Sequence, residues 1–225
     1  MPELDRIERE ITECRRCPRL VEWREKVARD KRRSFADEEY WGRPVPGFGD
    51  PAARVYILGL APAAHGGNRT GRVFTGDRSG DFLFGSLHRT GFANQPTSIR
   101  PGDGLELRDA FLAAAVRCAP PANKPLPSER DNCLPYAAAE LEAMPRVRVI
   151  VCLGSYAWDC ACRLLGIRPK PKFGHLAEYR HERAVLLGCF HPSQQNTFTG
   201  KLTPPMMDAV FERARALAGG ATEAP

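Results

Sequence analysis

The chain has 225 residues, 43% of them hydrophobic, which is enough for one domain with a sizeable core. Its formal net charge is +6 and only 6 of its 33 basic residues are lysine, so arginine-rich contacts to an acidic partner are worth considering. Residues 1–30 are densely charged and no apolar run reaches membrane-spanning length, so we expect a cytoplasmic monomer without a signal peptide or membrane contacts.

The first 30 residues surround the motif Cys14-Arg-Arg-Cys17 and are predicted to be helical, and residues 31–52 form a connection rich in proline and glycine. From residue 53 onwards, apolar segments alternate with amphipathic ones. Strands are predicted at 53–59, 111–117, 147–153 and 184–190, and helices at 79–90, 128–143, 155–165 and 204–218. Ser128 with Asp131 resembles a capping box at the start of one helix. Gly219–Pro225 is expected to be a disordered tail.

This alternation of strands and helices favours an α/β fold. Strands that are apolar along their whole length are typical of a parallel sheet with helices on both faces. We expect residues 1–225 to form a single domain, with the N-terminal segment 1–50 packed on it. Ligands of such sheets bind beyond the carboxyl ends of the strands, and the polar loops 59–77 and 191–200 follow the first and last predicted strands at that position. These two loops form the candidate site.

The loop 59–77 contains five glycines in nineteen residues and follows the apolar run Val55–Leu58. It contains neither GxxxxGK[ST] nor a GxGxxG that opens a helix, so it matches neither common phosphate-binding loop. Glycine and other small residues nevertheless let the backbone approach a ligand closely. The loop is therefore predicted to bind something other than the phosphates of a nucleotide.

The eight cysteines of an intracellular chain are not expected to form a disulfide framework. Four of them lie beside charged residues or prolines and are candidate metal ligands: Cys14, Cys17, Cys118 and Cys133. Four thiolates suit either zinc or an iron–sulfur cluster, and the wide spacing of the second pair favours the cluster, with no metal at all as the remaining alternative. A cluster there would clip the N-terminal segment onto the core. The other four lie in apolar segments and are predicted to be core residues: Cys152, Cys160, Cys162 and Cys189.

Several motifs follow one another in a specific order between residues 14 and 200. They are Cys14-x-x-Cys17, Gly59-Leu-Ala-Pro62, Gly66-Gly-Asn-Arg-Thr-Gly-Arg72, Phe74-Thr-Gly-Asp77, Arg117-Cys-Ala-Pro-Pro-Ala-Asn-Lys124, Cys133-Leu-Pro135 and His191-Pro-Ser-Gln-Gln-Asn196. This combination resembles the iron–sulfur branch of the uracil-DNA glycosylases, and family 5 in particular.

The resemblance implies a three-layer α/β/α domain with a central four-stranded parallel sheet. It implies a [4Fe–4S] cluster on the four candidate cysteines, Cys14, Cys17, Cys118 and Cys133. It also implies a monofunctional DNA glycosylase of base excision repair, which flips uracil and other deaminated bases such as hypoxanthine out of DNA and hydrolyses their N-glycosidic bonds.

The chemistry of the candidate residues agrees with this resemblance. Breaking an N-glycosidic bond puts negative charge on a carbonyl oxygen of the base, which backbone N–H groups and a neutral histidine stabilise. The turn that starts at Gly59 is predicted to supply the N–H groups, and His191 is the candidate electrophile. Phe74 is predicted to stack on the flipped base. Asp77 is predicted to assist the sugar cation or the water, although it is also placed to cap the following helix.

Two departures from the family pattern affect the mechanism and the specificity. Most uracil-DNA glycosylases carry Asp, Asn or Glu in the GxxP turn, where this chain has Leu60 and Ala61, neither of which acts as a base. Related iron–sulfur enzymes read the uracil edge with an asparagine at the site that corresponds to Ala114. A pocket without that amide rejects other carbonyl-bearing bases poorly, so we expect broad activity on deaminated bases.

Further polar residues are candidates for contacts to the substrate. Asn123 is expected to contact the base or the DNA, and Ser193 offers a hydroxyl to a phosphate. Asn196 and the amides around it suit the orphaned partner base, while Phe198 suits a wedge in the base stack. Three polar residues of the first loop are predicted to face the DNA backbone: Asn68, Arg69 and Arg72.

Two other functions are compatible with part of this pattern. A non-catalytic iron–sulfur or zinc protein that binds nucleic acid would explain the charge and the cysteines, but it would leave His191 without a function. A small-molecule hydrolase or nucleotide-sugar enzyme would share the α/β layering. Release of free base from uracil-containing DNA distinguishes both alternatives from a glycosylase.

Overall fold

Four apolar segments form the centre of one sheet as parallel strands. In the computed structural model, which describes residues 2–219, they are β2 (Val55–Gly59), β3 (Ala110–Ala114), β4 (Val149–Leu153) and β6 (Val185–Cys189). Nearly all of their residues are buried on both faces of the sheet, which explains their continuously apolar sequences. Val55 of β2 lies opposite Ala110 on one side and Val149 on the other.

Within residues 2–219 the sheet has two more strands than the four predicted. These are β1 (Phe48–Gly49), antiparallel to β3, and β5 (Glu178–Arg180), antiparallel to β6. The strand order is β1-β3-β2-β4-β6-β5. Both added strands are short edge strands without a fully buried residue, so they carry no apolar run from which they could be predicted.

Helices cover both faces of this sheet, as the α/β/α prediction requires. Their bounds are α1 (Pro2–Thr12), α2 (Pro18–Asp30), α3 (Gly67–Thr70), α4 (Arg78–Arg89), α5 (Pro127–Ala143), α6 (Ser155–Leu164), α7 (Gln194–Phe198) and α8 (Pro204–Gly219). On one face, α4 and α8 pack through Phe84 and Phe211. On the other face, α5 and α6 pack through Leu141 and Trp158. The four cysteines predicted to be core residues are all buried.

The start of α5 corrects the predicted capping box. The helix begins at Pro127, and the side chain of Glu129 accepts a hydrogen bond from the backbone N–H of Leu126 at 2.7 Å. Glu129 therefore provides the cap that was assigned to Ser128 and Asp131. The helix continues through Pro135 without ending there.

The N-terminal segment consists of two helices that are separated by the Cys14–Cys17 motif. α1 packs Ile7 and Ile11 against Tyr136 of α5. At the other end of the chain, Gly219 is the last residue of α8. The rest of the predicted tail lies outside the described residues. None of the helices in residues 2–219 is both long enough and apolar enough to span a membrane.

Candidate active site

A cavity of about 480 Å³ opens beyond the carboxyl ends of β2, β3 and β6. This is the position that the sheet topology predicts for a ligand. The cavity is lined by Leu60, Ala61, Pro62, Ala63, Val73, Phe74, Asp77, Arg78, Ser79, Ala114, Asn123, His191, Ser193, Gln194 and Gln195. Both loops that were singled out in the sequence therefore contribute to one cavity.

His191 contributes a neutral imidazole to this cavity. Burial lowers the pKa of His191 to about 4, so the ring is uncharged at neutral pH. Among residues 2–219, neither ring nitrogen has a hydrogen-bond partner. The backbone carbonyl of His191 accepts a hydrogen bond from Asn196 Nδ2 at 2.8 Å. The imidazole is thus held by its backbone and keeps its N–H free for a ligand.

The ring of Phe74 lies across from His191, with the two ring centroids 5.9 Å apart. Phe74 has a φ of 50°, in the left-handed region that a bulky residue rarely adopts, and such strain is concentrated at functional sites. Gly59 makes room for it, because a Cβ on Gly59 would lie 2.6 Å from Phe74 Cε2. Gly59 therefore supports the predicted stacking ring from behind instead of lining the cavity itself.

The turn after β2 supplies hydrogen-bond donors to the cavity. The first two backbone carbonyls of this turn are already hydrogen-bonded. Gly59 O accepts from Ala115 N at 2.9 Å, and Leu60 O accepts from Val116 N at 3.0 Å. The backbone N–H groups of Ala61 and Ala63 have no acceptor within the described part of the chain. Both residues line the cavity, so two backbone donors are available to a ligand.

Asp77 both lines the cavity and caps α4. Its Oδ1 accepts a hydrogen bond from the backbone N–H of Gly80 at 2.9 Å, so the capping alternative is confirmed. Burial raises the pKa of Asp77, and the neighbouring Asp81 acts in the same direction. The second oxygen, Oδ2, stands where a Cβ on Gly66 would be, so this glycine gives the carboxyl group its space.

The remaining predicted binding residues fall into two groups. Ala114, Asn123 and Ser193 line the cavity, and Ala114 at the end of β3 is only 1% exposed. Asn196 does not line it, because its side-chain amide is engaged with the His191 carbonyl. Asn196 therefore holds the backbone of the candidate electrophile, and its predicted contact with the partner base stays a prediction.

The prediction that the polar residues of the first loop face DNA is wrong for Asn68, Arg69 and Arg72, which are buried. Arg72 donates to both carboxylate oxygens of Asp103, at 3.0 and 2.6 Å, and to Ser98 Oγ at 2.9 Å. These bonds attach the loop around residues 98–103 to the cavity loop. The partners lie far away in sequence, so local sequence could not show the pairing.

Sequence reasoning also missed Arg78, whose guanidinium lies 5.4 Å from the centre of the Phe198 ring. Phe198 ends the short helix α7 and is 67% exposed, which is unusual for a large apolar residue. An arginine at the cavity and an exposed aromatic side chain beside it suit the backbone and the base stack of a nucleic acid. The position of Arg78 directly after Asp77 was the available signal.

The four candidate ligand cysteines line a second, enclosed cavity, together with the side chains of Arg117 and Tyr136. Burial raises the pKa of Cys118 to about 12 and that of Cys133 to about 11. Arg24 Nη1 donates to Cys118 Sγ at 3.0 Å, and Asn132 Nδ2 donates to Cys17 Sγ at 3.4 Å.

Across residues 2–219, no three His, Cys, Asp or Glu side chains are arranged around a single metal ion. The four thiols nevertheless meet at one cavity between α2, the end of β3 and α5. Four cysteine thiols that meet at one cavity are a donor set that suits either zinc or an iron–sulfur cluster.

Comparisons with known proteins agree with this geometry. Residues 46–215 match the uracil-DNA glycosylase superfamily. The type-5 uracil-DNA glycosylase of Mycobacterium tuberculosis is 56% identical over 213 residues, which cover 93% of this chain and 80% of that protein. The type-5 enzyme of Mycobacterium leprae is 52% identical over 223 residues, covering 97% and 96% of the two chains. That of Thermus thermophilus is 50% identical over 215 residues, covering 93% and 95%.

The matched region includes the cavity, both of its loops and two of the four cysteines. Identity at this level over at least 80% of each relative is far above what the fold alone would produce. The sequence motifs, the position of the cavity and these matches together show that the chain belongs to the uracil-DNA glycosylase superfamily.

Proposed function

We propose that this protein excises uracil from DNA by hydrolysing the bond between the base and C1′ of the deoxyribose. One observation carries the proposal: the buried His191 lies beside the ring of Phe74 in a cavity that is also lined by Ala61 and Ala63, whose backbone N–H groups have no acceptor in residues 2–219. The family of the chain and its type-5 relatives support the same activity.

The geometry suggests how the bond is broken. A flipped uracil that stacks on Phe74 turns its carbonyl oxygens towards His191 and the turn at Ala61 and Ala63. As the C1′–N1 bond breaks, its electron pair moves into the ring, and the N–H donors stabilise the negative charge on a carbonyl oxygen. A water molecule then adds to C1′ and loses a proton, while the base leaves and gains one.

The products are a free base and an intact abasic strand. No lysine lines the cavity in the described part of the chain, so the protein has no amine there to form a Schiff base with the sugar. The exposed Phe198 and the cavity residues Ser193 and Arg78 are placed to contact the DNA around the flipped nucleotide. We therefore assign to the protein a monofunctional reaction.

The second cavity supports a [4Fe–4S] cluster on Cys14, Cys17, Cys118 and Cys133. The chemistry of four soft thiols with N–H donors on two of the sulfurs fits such a group. When bound, the cluster would supply a structural crosslink. These ligands join the N-terminal helices to the end of β3 and to α5, and so support the cavity loop from behind.

The same proposal includes the domain organisation, the oligomeric state and the location of the protein. We take residues 1–225 as one domain that acts as a monomer on DNA, and this DNA substrate supports a cytoplasmic location. Packing of α1 on α5 and the shared cysteine cavity support a single unit.

The proposal is tested by incubating the purified protein with single- and double-stranded DNA that contains one uracil. Free uracil should appear in the soluble fraction, and the DNA strand should break only after alkali treatment. Binding of the DNA without any released base would indicate the non-catalytic alternative instead.

The absence of a side-chain amide at Ala114 predicts activity on several deaminated bases. With equal amounts of enzyme, we expect excision of hypoxanthine as well as uracil. Ala114 has no polar side-chain group, so a base other than uracil leaves no hydrogen-bonding group unpaired at this position. Ala114→Asn is expected to favour uracil over hypoxanthine. Measured rates that already confine the wild-type enzyme to uracil would contradict this prediction.

Replacement of Gly59 tests the stacking ring. In Gly59→Ala the new Cβ displaces Phe74, so kcat/KM should fall about 10- to 100-fold, which corresponds to the ~1–3 kcal/mol typical of base stacking. Phe74→Ala should give a similar loss. Gly85→Ala is the matched control, because a Cβ there meets only the flexible end of Arg89, and it should retain activity. Full activity of Gly59→Ala would show that Phe74 does not stack on the base.

The two functions of Asp77 can be separated by substitution. Asp77→Asn keeps an oxygen for the N–H of Gly80, whereas Asp77→Ala loses the cap and should lower the free energy of unfolding by about 1 kcal/mol. If the carboxyl group assists the sugar cation or the water, both variants should slow excision roughly 100-fold. Single-turnover rates measure the effect on excision, and urea unfolding measures the effect on stability. A fully active Asp77→Asn would leave Asp77 only its capping function.

A further inference from the structure

Arg24 is a buried cation that lies against one of the four candidate ligand cysteines. It lies on the inner face of α2 and is only 2% exposed. Its guanidinium donates to Cys118 Sγ at 3.0 Å and to the backbone carbonyl of Cys14 at 3.3 Å, and its Nε has no acceptor. No Asp or Glu in residues 2–219 forms a salt bridge with it.

The neighbouring Arg117 provides the contrast. It is equally buried, but its Nη2 donates to Glu140 Oε2 at 2.7 Å, and Glu140 also accepts from Tyr56. Burying an ionised group without compensation costs several kcal/mol per ion. Arg117 has its compensating carboxylate, whereas within residues 2–219 the only side-chain acceptor of Arg24 is a cysteine sulfur. A thiolate at Cys118 would place a compensating negative charge directly against the Arg24 guanidinium.

We infer that Arg24 compensates part of the negative charge of the iron–sulfur cluster and tunes the cluster through an N–H···S bond to Cys118. The inference rests on the proposed cofactor. Four thiolates bring more negative charge into a buried cavity than the positive charge of a [4Fe–4S] core offsets. Hydrogen bonds to the sulfurs and local charge are two of the factors that set the reduction potential of such a cluster.

Arg24 also links the cysteine cavity to the active-site loop. The backbone carbonyl of Arg24 accepts a hydrogen bond from Asn68 Nδ2 at 3.2 Å, and Asn68 is fully buried in α3. α3 lies in the loop 59–77, between the turn at Ala61 and the stacking ring of Phe74. This hydrogen bond ties α2 directly to the cavity loop.

The test compares Arg24→Gln, which removes the charge, with Arg24→Lys, which keeps the charge but not the planar fork. Removal of a positive charge disfavours the more negative, reduced cluster, so the midpoint potential of Arg24→Gln should fall below that of the wild type. Its cluster should also be lost to a chelator roughly 10- to 100-fold faster, as for other residues that support metal ligands. Arg24→Lys should lie between the two. Arg29→Gln, an exposed arginine of the same helix, is the control and should match the wild type.

Iron and sulfide content, potential and rate of cluster loss are measured on the purified full-length protein, independently of excision. Wild-type potential and loss rate in both Arg24 variants would overturn the inference. Wild-type protein that carries zinc or no metal would overturn it together with the proposed cofactor. Failure to release uracil from DNA, with an Arg24-dependent cluster present, would refute the proposed function alone.

Discussion

Replacing His191 with alanine is expected to slow uracil excision about 100- to 1000-fold, as the loss of one donor to a developing oxyanion typically does. The affinity for uracil-containing DNA should change little, because the negative charge that His191 stabilises develops only as the base leaves. His191 is the one cavity side chain with a ring N–H that is free in residues 2–219, and it stands beside the ring of Phe74.

The acid limb of the pH–rate profile follows from the pKa of His191. Burial lowers this pKa from 6.5 to about 4, so the reactive neutral ring persists from alkaline pH down to the region of pH 4. Excision should therefore show no loss from His191 protonation between pH 8 and pH 5. The free energy of unfolding should depend on pH in the same direction. The buried neutral ring contributes fully to this free energy above pH 6.5, and the contribution is lost as pH falls towards 4.

Single-turnover rates on a uracil-containing oligonucleotide measure both effects. His88→Ala is the matched control, since His88 is exposed in the last turn of α4. A His191→Ala enzyme with wild-type rates would remove the imidazole from the mechanism. A steep loss of rate near pH 6.5 that disappears in His191→Ala would instead show that the ring titrates as an exposed histidine.

Replacing Cys118 with alanine is expected to remove the iron and to lower the free energy of unfolding by more than about 4 kcal/mol, the range in which loss of a metal site lies. Cys118 follows β3 closely, whereas Cys14 and Cys17 flank the start of α2 and Cys133 lies in α5. In the proposed cluster, the loss of this ligand would weaken the link among three parts of the fold. It also deprives the buried Arg24 of its sulfur acceptor.

Iron and sulfide analysis, urea unfolding and limited proteolysis measure this effect. Cleavage should appear first within residues 1–45, and excision should fall as the cavity loop loses its support. Cys162→Ala is the control: Cys162 is buried but lies in α6, so its replacement should cost only about 1 kcal/mol and leave the iron in place. Unchanged stability and full iron content in Cys118→Ala would exclude the four-cysteine centre.

The central strands and the principal helices were predictable from the sequence because their signals are local. β2, β3, β4 and β6 are continuously apolar, and a strand buried on both faces has no other sequence signature. β1 and β5 were missed because an edge strand is defined by its partner and not by its composition.

The candidate site was predictable to a smaller extent. Phe74, Asp77 and His191 were identified in the sequence, and the structure brings all three to one cavity. Arg72 was misassigned because its carboxylate partner, Asp103, comes from a distant loop that no local pattern connects to it. Arg24 was overlooked within a charged helix, although it follows Leu20 by four residues and precedes Val27 by three, on the buried stripe of α2.

By itself, the amino-acid sequence determined the order of the four central strands and the principal helices, the edge of the sheet at which a ligand binds and the types of residue available there. These properties depend on apolar periodicity and on chain direction, both of which are local. Only the tertiary structure decided which arginines are buried cations, which amides support a backbone and which N–H groups remain free. Each of these depends on groups that are far apart in the chain and become neighbours only when the layers pack.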